Sequence, residues 1–138
     1  MFLFLLLFVV KIDTLNVYKE SLAIGEEIWG LTSKWDYFAK DTVGKQLVRS
    51  ADSIAANIAE GYGRFFYKEN KQFCYYSRGS LMETICWIDK AKARNLVPVN
   101  TAERLKSKLE HIHQLLNGYI RFIGHAPYKP QPPVPLNK

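Results

Sequence analysis

Arg49, Ser53, Asn57, Glu60 and Arg64 follow one another at steps of four, four, three and four, a spacing that puts all five side chains on one face of a helix. A second polar line, Ser77, Ser80, Glu83 and Thr84 with Arg78 beside it, lies further along the chain. Solvated helix surfaces favour long Lys and Glu, whereas these lines are rich in Ser, Asn and Arg, so something is expected to pack against them. Three uses fit: hydrogen bonding between the two lines within the fold or across a subunit interface, where Arg forks match carboxylates; direct contact with a ligand or RNA; or plain solvation. Glu60 and Glu83 have the chemistry of paired acids, but a role as partners in a polar network suits each better.

Cations form the second group. Arg64, Lys68 and Lys71 gather after the polar stripe; Lys90, Lys92 and Arg94 follow, then Arg104, Lys106 and Lys108. With Arg78 they are candidates for phosphate contact. Phe65, Phe66, Tyr67, Tyr75 and Tyr76 interleave with the first cluster, as stacking surfaces for unpaired bases would, although core packing accounts better for most of these rings. The formal charge of +6 and pI near 9.3 favour polyanionic partners, because cations that neutralise phosphates release condensed counterions.

Other chemistry finds little footing. His111 and His113, two apart, point to different sides of a helix, and neither cysteine has a ligand at zinc-site spacing. No metal and no cofactor are expected. No serine sits in a nucleophile elbow, and Gly61 and Gly63 follow a helical pattern instead of a strand, so they do not form a phosphate-binding loop. Cys74 and Cys86 would stand about 18 Å apart on one helix, too far to pair within the chain; two buried thiols in a reducing cytoplasm are expected.

The elements that must position these residues are helical. With 138 residues, 48% of them hydrophobic, the chain fits one domain with a real core. Apolar residues at 15, 22, 24, 28 and 31 outline a first helix, Leu15 to Leu31. Residues 32–41 break the pattern, and Asp41 or Thr42 is placed to cap a second helix. Val43, Leu47, Ala51, Ile54, Ile58 and Tyr62 then recur at helical steps, with Gly61 and Gly63 expected in left-handed positions at the end. A third helix is predicted from Tyr67 to Asn95, with Gly79 costing stability unless a neighbouring backbone approaches it. After Pro98, Asn100 and Glu103 resemble a capping box. A fourth helix then carries Ala102, Leu105, Leu109, Ile112, Leu116, Tyr119 and Ile123, a heptad seam that ends at Gly124.

Two ends stand apart from residues 13–124. Residues 1–12 form an apolar N-terminal extension whose uninterrupted run, Met1 to Val10, is too short to cross a bilayer, and Lys11 and Asp13 follow it without a cleavage-like site. It reads as a segment packed against another subunit, or as the product of a start site placed too far upstream, and no stable membrane insertion is expected. Residues 125–138 hold five prolines and read as an extended, flexible tail.

Gln46, Arg49, Ser53, Asn57, Glu60, Gly61 and Arg64, with Gly79, Ser80 and Glu83 and with Val17, Tyr18 and Lys19 near the start, together resemble the four-helix bundle proteins encoded in intervening sequences of bacterial 23S rRNA genes. The resemblance spans residues 13–124. It implies an all-α, left-handed, up-and-down four-helix bundle that assembles into a homopentamer with a nucleic-acid role, and places the family's motif positions on Arg49, Ser53, Asn57, Glu60, Gly61, Arg64, Ser80 and Glu83 without catalytic duty. A relative of this group, the accessory variability protein of diversity-generating retroelements, forms a basic pentameric barrel that binds nucleic acid and a reverse transcriptase. The expectation is therefore a cytoplasmic, non-enzymatic homo-oligomer that binds RNA or DNA, against the alternative of a structural adaptor with a protein client.

Overall fold

The computed structural model describes residues 11–125; the expectations for the apolar run 1–10 and for nearly all of the proline-rich tail fall outside them. A 3-10 turn, Ile12–Thr14, leads into α1 (Asn16–Thr32). The chain turns, re-enters helix at Tyr37–Ala39, passes through a π-helical turn at Lys40–Gly44 and continues as α2 (Lys45–Tyr62). Then come α3 (Tyr67–Ala93) and α4 (Val99–Phe122), and no strand occurs among the described residues. Each helix packs on the next, and α4 closes back on α1. With short connections at 33–36, 63–66 and 94–98, this is an up-and-down four-helix bundle.

The core follows the helical spacing of the apolar residues. Leu47, Ala51, Ile54 and Ile58 of α2, Leu81 and Ile88 of α3, and Leu105, Leu109, Ile112 and Leu116 of α4 are all essentially inaccessible. Tyr119 lies at the margin and Ile120 takes a core position beside it. In α1 the seam is Val17, Ile24 and Ile28, while Leu22, counted with the core from spacing, is 46% exposed.

Several local expectations are corrected. Helix formation resumes at Tyr37 because the Asp36 carboxylate accepts a hydrogen bond from the Ala39 amide at 3.0 Å; Asp41 instead lies 4.0 Å from Lys45, and the Thr42 hydroxyl donates to the Phe38 carbonyl at 2.6 Å. Asn100 and Glu103 form no capping box: α4 starts directly after Pro98, Asn100 accepts from its neighbour's amide, and Glu103 reaches Lys92. Gly61 and Gly63 do not adopt left-handed conformations; Gly61 lies within α2, and Gly63 has φ −75°. Gly61 serves close approach instead, since a Cβ there would stand 2.8 Å from the Asn70 carbonyl oxygen. Left-handed positions fall at Asn95, just past α3, and at Gly124, just past α4, as helix termination favours. Finally, Cys74 is buried but Cys86 is exposed, so only one thiol belongs to the core.

Candidate functional site

The two polar lines come together along the α2–α3 seam in two layers. The inner layer is buried and small. Ser77 donates to the Ile54 carbonyl at 2.7 Å and Thr84 to the Ser50 hydroxyl at 3.0 Å, and Ser50 itself donates to the Leu47 carbonyl at 3.1 Å. Small hydroxyls let the two helices approach while satisfying their own polar atoms. Among the described residues no buried side-chain nitrogen or oxygen lacks a hydrogen-bond partner.

The outer layer is the stripe itself. Arg49 spans the seam: its Nη2 lies 2.8 and 2.9 Å from the two Glu83 oxygens and 3.0 Å from Gln46 Oε1. Below it, Ser53 donates to the Arg49 carbonyl and Asn57 to the Ser53 carbonyl, while Arg64, just past the end of α2, pairs with Glu60 at 2.8 Å. The Ser80 carbonyl, 2.8 Å from the Thr84 hydroxyl, shares that group's single proton with Ser50. The stripe thus shares one face as spacing required, but only its Arg49 end crosses to α3 through an ion pair. That pair is exposed, with side-chain exposures of 56% for Arg49 and 41% for Glu83, so solvent screens it strongly.

The cations divide into two sets. In the first, Lys92 bonds Glu103 at 3.0 Å and Lys106 bonds Asp89 at 2.8 Å, tying α3 to α4. Arg104 and Lys108 both bind Glu27, tying α4 to α1. Burial pulls the Glu27 carboxyl upward, but hydrogen bonds and charge from Arg104 and Lys108 outweigh it and hold the pKa below the ordinary value. In the second set, Lys68 and Lys71 at the start of α3 and Lys90 and Arg94 at its end have no ion pair among the described residues. Arg78 donates to the Asn117 side chain at 3.0 Å and lies over Tyr75, and Arg64 covers Phe73.

Sequence reasoning missed three features. Ser50, between Arg49 and Ala51, and Asn70, between Glu69 and Lys71, are buried polar residues, and only their spacing from core positions hinted at a role. The third is at the α1–α2 end: Trp29, Tyr37 and Phe38 are 60%, 81% and 78% exposed, and Trp29 and Tyr37 line a concave site. No group of three or more potential metal ligands occurs among the described residues, and none of their helices is long and apolar enough to cross a membrane.

These features define the class: an all-helical bundle with a two-layered polar seam and cations divided between internal pairing and open surface. The chain belongs to the 23S rRNA-intervening sequence protein family, whose model matches residues 13–118. Among solved structures it is similar to a protein of unknown function from the S23 ribosomal protein family of Bacteroides thetaiotaomicron VPI-5482. The two share 22% identity with a TM-score of 0.68, over 76% of this chain and 98% of that one, a likeness that shows the fold alone. Comparison with curated proteins found no match.

Proposed function

We propose that this chain is a non-enzymatic homo-oligomer, a pentamer as its family resemblance implies, that binds RNA or DNA in the cytoplasm mainly by phosphate contact with little base readout. The division among its cations carries the reading. Lys92, Arg104, Lys106 and Lys108 are matched to carboxylates within the fold, whereas Lys68, Lys71, Lys90 and Arg94 are left for an external anion. These two pairs, which have no ion-pair partner among the described residues, lie about 33 Å apart along α3, so a long polyanion suits them better than a small one. The outer stripe, with its exposed Arg49–Glu83 pair, is proposed to join subunits.

The competing reading is an adaptor whose stripe joins subunits and whose client is a protein. It draws on the same exposed pair and needs no polyanion.

Light scattering after size exclusion, at low and high salt with and without a mixed RNA pool, separates the two. The proposal expects a multimer that shifts with RNA at low salt only. Reversing charge at Lys68, Lys71, Lys90 and Arg94 should abolish the shift and spare the multimer. Binding that ignores salt, or none at low salt, refutes it; a multimer indifferent to RNA favours the adaptor.

A further inference from the structure

Where α1 gives way to α2, a concave site of about 580 Å³ is walled by Trp29 and Tyr37 and carries Lys40, Lys45 and Arg49 against the one carboxylate of Asp41. That volume is in the range of small-ligand pockets, roughly 300–1,000 Å³. Aromatic rings at such exposure, with Phe38 beside them, form a patch that folding alone does not require.

Several rings elsewhere on the surface already have a ring or cation partner. Arg64 lies 4.9 Å from the Phe73 centroid, Arg78 5.1 Å from Tyr75, and Lys90 5.4 Å from Trp87. Phe65 and Phe66 meet edge to face at 4.8 Å, as do Phe73 and Tyr76 at 5.5 Å. Among the described residues, neither Trp29 nor Tyr37 has a ring or cation partner of this kind. The backbone that displays Tyr37 is nevertheless held, by the Asp36 cap and by the Thr42 hydroxyl on the Phe38 carbonyl.

Bare rings alone would suit any apolar partner; the cations narrow the choice. Lys40 is exposed and has no ion pair among the described residues, Lys45 is only loosely matched at 4.0 Å to Asp41, and Arg49 is committed to Glu83. A partner must therefore offer a flat apolar face with negative charge beside it. We propose that this site takes an unpaired base of single-stranded nucleic acid, stacked between Trp29 and Tyr37, with the flanking phosphates on Lys40 and Lys45. The inference rests on the proposed nucleic-acid function and adds the kind of strand and the place where a base is held. Bases inside a duplex are already stacked and cannot enter.

The test is fluorescence anisotropy at two salt concentrations with a labelled oligouridylate and an RNA duplex of equal length, alongside ultraviolet crosslinking of a 4-thiouridine oligonucleotide mapped by mass spectrometry. Trp29→Ala and Tyr37→Ala should each weaken single-strand binding by about 5- to 150-fold, the range that stacking energies set. Trp29→Phe should retain most of the affinity, the salt slope should be unchanged, and crosslinks should fall on Trp29 or Tyr37. Both rings are mostly exposed, and circular dichroism checks that the variants fold. If both alanine variants bind like the wild type while charge reversal at Lys68, Lys71, Lys90 and Arg94 removes binding, the site is wrong and the proposed function stands. If the wild type binds neither RNA at low salt, both fall. A change in particle mass in the alanine variants without a change in affinity assigns the rings to a contact between copies and overturns the site, as do crosslinks confined to Phe66, Tyr75 and Tyr76.

Discussion

Replacing Gly61 by alanine probes the tightest point of the α2–α3 seam. The new Cβ would lie 2.8 Å from the Asn70 carbonyl oxygen, 2.8 Å from Asn70 Oδ1 and 2.9 Å from Phe73 Cβ. A carbonyl and a Cβ cannot swing aside, so the helices must separate by about half an ångström to restore ordinary contact. Overpacking of this kind costs about 1–3 kcal/mol, and disturbing Asn70, 1% exposed and bonded to Cys74, adds about 1 kcal/mol. Alanine's helix propensity returns up to about 1 kcal/mol. The net is a loss of about 1–3 kcal/mol, or roughly 4–12 °C in Tm for a chain of this size. Gly79→Ala is the internal comparison: no atom lies within 4 Å of its added Cβ, so the propensity gain stands alone and the bundle should gain about 0.5–1 kcal/mol. Urea and thermal unfolding by circular dichroism, at one protein concentration because assembly couples to stability, give both numbers. A Gly61→Ala protein as stable as the wild type would refute the close-approach argument.

Arg49→Ala removes an exposed pair, so it should change bundle stability by less than about 1 kcal/mol while reducing particle mass in light scattering; unchanged mass would detach the stripe from assembly. Thr84→Val breaks the buried bond to Ser50 and should cost about 1 kcal/mol in urea unfolding. Burial pushes the Cys74 thiol up to about 12, so a thiol reagent at pH 8 should titrate Cys86 quickly and Cys74 only after unfolding. Because the raised thiol ionises in the unfolded chain first, its contribution to stability is whole below pH 9 and declines as pH rises toward 12, which Cys74→Ala should flatten. Glu27 behaves oppositely: its lowered carboxyl stabilises the fold above the ordinary carboxylate pKa and loses that effect as acid protonates it, so Glu27→Gln should reduce the fall in stability on acidification.

The four helices and most of their inward faces could be read without coordinates, because apolar burial follows helical spacing: Leu47, Ile54 and Ile58, or Leu105, Leu109, Ile112 and Leu116, share one face as helices, whereas Leu22 of α1 does not turn inward. Spacing likewise placed Arg49, Ser53, Asn57, Glu60 and Arg64 on one face. Charge pairing was not legible, since it depends on which helices become neighbours. Glu27 and Arg104 meet only because α4 packs on α1, and that contact sets Arg104 and Lys108, phosphate candidates by sequence, against an internal carboxylate. The break at residues 32–41 was visible as a cluster of aromatic and charged residues, but its outcome was not. Asp36 acts as the cap, Trp35 packs on the core, and Tyr37 and Phe38 face water. Side chains so close in sequence differ in fate only through the direction in which the turn leaves α1, and the packing of α1 on α2 decides that direction.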